Sequence, residues 1–201
     1  MNTERKYHHG DLRDSLLREA RALLAEDGIE GLSLRKLADR VGVSRTASYH
    51  HFQDKHALLC ALAAQGFRDL DEMAAQAMEG APVAQGLAAL MQGYLDFALA
   101  DPDRYDLMFG RRLWKLALPT PELRQVAYDT FRRYAQRIAG GQPDSKPDRR
   151  RLRLAQASWA TLHGLSHLLI DGIYVDIADM KEVSEMALTS LLGALGATSQ
   201  G

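Results

Sequence analysis

The first 81 residues contain no proline, and within them apolar side chains recur at every third or fourth position. A stretch without proline keeps its backbone N–H groups available for helical hydrogen bonds. The three-to-four spacing then lays the apolar residues along one face of a helix. Leu12, Leu16, Ala20, Leu23 and Leu24 form one such stripe, with Asp11 placed to cap it and Gly28 to close it in the left-handed conformation. A second, two-turn stripe of Leu34, Leu37, Ala38 and Val41 lies between Ser33, a capping residue, and Gly42, a stop. After Gly42 and Val43, Ser44 caps a third short helix. Helices this short are marginal alone, so tertiary packing must hold them. A helix, a tight turn containing glycine and another short helix make the helix-turn-helix pattern.

The third helix opens the segment SRTASYHHFQDK, residues 44–55. It is too polar for a core helix and too aromatic for an ordinary solvated loop. As the second helix of a helix-turn-helix, that polar face suits entry into a DNA major groove. From Asp54 onward the helical patterns lengthen. One runs to about Glu79, stopped by Gly80 and Pro82, and the next ends at Pro102. An aromatic-rich pair of turns follows, then a helix opened by Thr120 and Pro121, a Gly/Pro linker at 140–148, and two helices near 149–172 and 180–196. No strand, repeat or low-complexity pattern is legible. The expected fold is all-α: an N-terminal three-helix helix-turn-helix domain over residues 8–54, then an all-helical domain over 55–197.

Composition and charge narrow the function. A chain that is 46% hydrophobic and 25% charged can bury a real core. No apolar run reaches the roughly 20 residues of a membrane span, and residues 1–10 lack the apolar region of a signal peptide. Cys60 is the sole cysteine, which excludes an intramolecular disulfide and fits a reducing compartment, so a cytoplasmic location is expected. The net charge of −1 argues against a general polyanion binder. Residues 1–55 hold ten Lys and Arg against nine Asp and Glu. Any nucleic-acid surface must therefore be a local patch, helped by His8, His9, His50 and His51 where phosphate favours their protonation. Gly-rich phosphate loops, Gly-x-Ser-x-Gly elbows and His-Glu-x-x-His pairs are missing, so neither an enzyme nor a cofactor is expected. His163, His167 and Asp171 recur every four residues along one helix face. They carry the alternative reading, a helical metal-dependent enzyme, although a structural zinc site needs four ligands and the thiol is far off in sequence, so no metal is assigned. A purely structural helical adaptor would leave the face of the third helix without a purpose.

Residues 8–68 resemble the DNA-binding domain of the tetracycline-repressor (TetR) family. The resemblance rests on Ser33, Arg35, Leu37 and Ala38, then Gly42, Val43 and Ser44 at the turn, then Tyr49, His51, Phe52 and Lys55. Trp159, His163 and Gly164, with RYDLMFG at 104–110, also resemble a TetR subclass named for a Trp-His-Gly motif. Ser48 departs from the pattern, which has Leu or Pro there; a serine can bond back to a carbonyl one turn earlier. The resemblance and the chemistry together give the DNA-binding set. Ser33, Arg35, Tyr49, His51 and Lys55 are expected on phosphates, which position the protein. Arg45, Thr46 and His50 are expected at base edges, which specify sequence, with Ser44 at the head of the helix. Phe52 is expected to anchor the helix. Arg5, Lys6, His8 and His9 form either a minor-groove arm or a frayed terminus.

Such a reader works as a two-fold dimer on a near-palindromic double-stranded operator. The expected dimer interface is Leu162, Leu165, Leu169 and Ile173 with Leu188, Leu191, Leu192 and Leu195, two stripes suited to a four-helix bundle; the same stripes also suit a monomer core. Phe67, Met91, Tyr94, Leu95, Tyr105, Met108, Phe109, Trp114, Phe131 and Trp159 are the expected effector pocket, with His163 and Tyr94 its polar groups. Residue by residue, that set reads more readily as core than as pocket. The resemblance thus implies a ligand-responsive homodimeric transcriptional regulator, a repressor released by a small apolar or amphipathic effector or, alternatively, an activator of the same fold.

Overall fold

The computed structural model describes residues 9–139, 149–173 and 177–196, and every regular element among them is helical. In order these are α1 (His9–Gly31), α2 (Leu34–Val41), α3 (Arg45–His51), α4 (Lys55–Met78), α5 (Val83–Ala100), α6 (Pro102–Phe109), a π-helical turn (Arg112–Leu116), α7 (Pro121–Ala139), α8 (Arg149–Ile170) and α9 (Ile177–Gly196). The linker at 140–148 and the basic residues Arg5, Lys6 and His8 lie outside the described residues, as do the side chains of His9, Asp11 and Leu195.

Two boundaries differ from the sequence expectation. α1 begins at His9, two residues ahead of Asp11. At Gly28, φ 67° and ψ −178° are non-helical, so one helical stretch ends there at a kink, with a positive φ but not the left-handed ψ, and a second short stretch runs on to Gly31. Leu32, capping the stretch after the kink, is buried and donates its N–H to Ile29 O at 3.3 Å.

The chain packs as two compact units. The first holds the described residues up to Gly66 together with Asp103–Arg124. Its core is Leu16, Leu23 and Leu24 of α1, Leu37 of α2 and Leu58 of α4, all fully buried. Met108 of α6 lies so close to Gly66 that a Cβ there would collide with its sulfur. Trp114 Nε1 donates to Met108 O at 2.7 Å, and His56 Nε2 meets Leu118 O at 2.8 Å.

The second unit comprises Phe67–Pro102 and the described residues from Gln125 onward. Trp159 of α8 is its aromatic centre. The rings of Tyr94, Phe131 and Tyr134 meet it edge-on at 6.0, 5.2 and 4.8 Å, the geometry that aromatic quadrupoles favour. Asp71 of α4 holds Arg133 and Arg137 of α7, each at 2.6 Å. Thr130 donates to Phe67 O at 3.1 Å, so a buried hydroxyl is satisfied.

Candidate nucleic-acid interface

Side chains that cap backbone groups build α3 and the turn before it. Ser33 Oγ accepts the Lys36 N–H at 3.1 Å, and Ser44 Oγ accepts the Ala47 N–H at 3.1 Å. Each serine keeps its own hydroxyl proton, so each stays a donor towards a phosphate oxygen. Gly42 closes α2 at φ 76°, and its N–H and that of Val43 both reach Ala38 O at 3.0 Å. Ser48 is fully buried and donates to Arg45 O at 2.8 Å, so the residue that departs from the family pattern satisfies itself within α3.

α3 ends where Phe52 turns extended, at φ −135° and ψ 114°. Its ring is 3% exposed, and the Arg13 guanidinium of α1 lies over it at 5.5 Å. A buried aromatic beneath a cation pins the helix from below and leaves its other face outward. Arg45, Thr46, Tyr49 and His50 are exposed on that face, as are Ser33, Arg35 and Ser44 beside it, while His51 and Lys55 are half-buried. Tyr49 is 54% exposed, far more than a core phenol would be.

Charge pairing sorts the cations. Lys36 is held by Asp27 at 2.6 Å, and Arg40 by Glu19 at 3.1 Å and by Glu26. The hydrogen bond from Arg40 keeps the Glu26 carboxyl below the usual carboxylate range. These two cations tie α2 to α1. Among the described residues named for this face, Arg35, Arg45 and Lys55 are the cations without an ion pair.

The residues expected to form an effector pocket divide between the two units. Tyr105, Met108, Phe109 and Trp114 belong to the first unit. Phe67, Met91, Tyr94, Leu95, Phe131, Trp159 and His163 belong to the second, where Phe67, Met91, Tyr94 and Leu95 are buried and the other three half-buried. Tyr94 and Trp159 border a void of about 10 Å³, with Thr130, Tyr134 and Arg137 also on its wall. That is room for one water. A larger cleft of about 350 Å³ lies among α5, α8 and α9 and includes only Met91 of the expected set. Leu154, Ala157, Ser158, Thr161, Ser190 and Leu191 line it.

Of the expected dimer residues, Leu162, Leu165 and Leu191 are buried within the single chain, and Leu165 packs with Leu95, Leu169 and Val183. Leu169, Leu188 and Leu192 are half-buried, and Ile173 is exposed. His163 and His167 pack edge to face at 4.5 Å. Burial first, and His167 second, push the His163 imidazole down to about 4. With Asp171 exposed past the end of α8, the three do not converge; among the described residues no group of three or more such side chains could hold a metal.

Comparison with known proteins agrees with this arrangement. Residues 16–62 match the family described as bacterial regulatory proteins, tetR family, and residues 87–191 match the tetracyclin repressor-like C-terminal domain. The chain is 38% identical over 99 residues to the HTH-type transcriptional repressor AcnR of Corynebacterium glutamicum, covering 49% of this chain and 46% of that protein. It is 51% identical over 51 residues to the class C tetracycline repressor protein of Escherichia coli, 25% of this chain and 23% of that one. The chain thus spans about half the length, or less, of the curated relatives it matches. A solved structure of a protein of unknown function from Rhodococcus sp. RHA1 is 34% identical with a TM-score of 0.77, covering 94% of this chain and 97% of that one. A tetR-family regulator from Streptomyces coelicolor, 19% identical with a TM-score of 0.73 over 94% of this chain and 82% of its own, shares the fold. Among the described residues no helix is long and apolar enough to cross a membrane.

Proposed function

This chain belongs to the tetracycline-repressor family of bacterial regulatory proteins, and we propose that it works as a dimeric repressor released from a near-palindromic operator by a small molecule. The observation that carries the reading is the outward face of α3, where Arg45, Thr46, Tyr49 and His50 are exposed above a buried Ser48 and Phe52. A guanidinium in the major groove pairs bidentately with guanine O6 and N7, and a threonine offers its methyl to thymine. Tyr49, His51 and Lys55, with Ser33 and Arg35 at the head of α2, then grip phosphates and fix the register. The repressing direction is supported by relatives named as transcriptional repressors.

The second unit would bind the effector and, through α8 and α9, a second copy. α4, one helix from Lys55 to Met78, is the element through which ligand binding would be felt at α3. The ligand needs only to prefer one of two states. A coupling of about 1–3 kcal/mol changes operator affinity roughly 5–150-fold. Selection of bound duplexes from a random pool by the purified protein tests the reading. A two-fold-symmetric motif is expected, with half-sites about one DNA turn or a multiple apart. An unenriched pool at low salt refutes it.

A further inference from the structure

The cleft among α5, α8 and α9 has a hydrogen-bonding polarity that selects its occupant. Its volume of about 350 Å³ lies within the range of small-molecule sites. Met91, Leu154 and Leu191 supply apolar wall, and none of the described residues that line it is charged. Three hydroxyls do: Ser158, Thr161 and Ser190. Each has already given its proton to its own helix. Ser158 Oγ donates to Ala155 O at 3.0 Å, Thr161 Oγ1 to Ala157 O at 2.9 Å, and Ser190 Oγ to Met186 O at 2.9 Å. Tyr134 then acts as donor to Ser158 Oγ across 2.7 Å, which uses one of that oxygen's two lone pairs. A hydroxyl has one proton and two lone pairs, so what remains facing the cleft is acceptor capacity, most of it on Thr161 and Ser190.

We propose that this cleft binds a small, uncharged, mainly hydrophobic molecule bearing a hydroxyl donor, an alcohol or a phenol, whose O–H is taken by Thr161 or Ser190. A carboxylate brings only acceptors to a wall of acceptors and meets no cation among the described lining residues. An ether of the same shape fills the cleft but leaves its hydrogen-bonding groups unpaired. As the seat of the effector the cleft rests on the regulator reading above; as a binding site it does not, so its test uses no DNA.

The experiment is calorimetric titration of the full chain at pH 7 with 4-butylphenol, its methyl ether and 4-butylbenzoate. The phenol is expected to bind, the ether about 10-fold more weakly, in keeping with one hydrogen bond, and the benzoate more weakly still. Thr161→Val with Ser190→Ala, at two exposed positions, should bring phenol and ether to the same affinity. Ala187→Leu, which adds bulk to the cleft wall, should abolish binding of both, with circular dichroism checking that the helices remain. Phenol and ether binding equally to the unmodified chain would overturn the proposal, and so would no phenol binding or phenol binding that survives Ala187→Leu. If Ala187→Leu splits a dimer in sedimentation while the unmodified chain takes no phenol, the cleft belongs to a second copy and the proposal falls. Operator affinity measured separately with phenol tests the regulator reading without bearing on the binding result.

Discussion

Replacing Gly42 by alanine isolates what one backbone angle contributes to the DNA reader. Gly42 ends α2 at φ 76° and ψ 32°, in the left-handed region. A Cβ placed there meets nothing within 4 Å, so no collision enters and the cost is the intrinsic left-handed penalty, about 1–2 kcal/mol. Alanine also narrows the unfolded ensemble, an effect of about 0.4–1 kcal/mol that offsets part of the strain. The net loss is about 1 kcal/mol, which for a chain of this size lowers the melting midpoint by about 2–4 °C. Gly42→Asn separates conformation from side-chain bulk, because asparagine is larger than alanine yet visits the left-handed region more readily. Urea and thermal unfolding of the three proteins, followed by circular dichroism, should rank them glycine, asparagine, alanine in falling stability. Alanine matching glycine, or asparagine falling below alanine, would refute the argument that the turn is held by φ.

Other perturbations follow from the same structure. His163 is held neutral down to about 4 in the folded chain but titrates near 6.5 when unfolded. The unfolded chain therefore binds the extra proton between those values, and stability is lost as pH falls from about 6.5 to about 4. Solvent screening of the half-exposed ring reduces that loss to roughly 1 kcal/mol; urea midpoints at pH 4.5 and 7 should differ less in His163→Gln than in the parent. Asp71→Asn strips Arg133 and Arg137 of their shared carboxylate and should cost about 2 kcal/mol, less than the loss of a fully buried pair, read as a fall in the urea midpoint. Ser44→Ala should cost about 1 kcal/mol through the lost cap. Ser44→Asp should keep that stability while weakening DNA binding, since its carboxylate would face phosphate; unfolding and DNA titration read the two effects apart.

The caps were legible because they are local: Ser33, Gly42 and Ser44 do their work within three or four residues of themselves. Gly28 shows where local reading stops. Its positive φ was legible, but the short helical stretch that follows the kink up to Gly31, ahead of the buried Leu32, was not. The exposed face of α3 could be read from residue chemistry, yet the ion pairing of Lys36 and Arg40 could not. That depends on Asp27, Glu19 and Glu26 arriving from α1. The aromatic residues were grouped by type, whereas packing distributes them between two units. The cleft escaped notice for a different reason: it is made by short side chains on helices more than 20 residues apart, and absent atoms leave little trace in a sequence.

The central claim is that Arg45 reads a base while Tyr49 holds a phosphate. The direct measurement is the affinity of the unmodified chain, Arg45→Ala and Tyr49→Ala for a selected duplex and for each of its single-base variants. Arg45→Ala is expected to lose discrimination at one base pair of each half-site, a change of about 1–3 kcal/mol there, whereas Tyr49→Ala should weaken every duplex by a common factor. A uniform loss from Arg45→Ala, or a position-specific one from Tyr49→Ala, would contradict it.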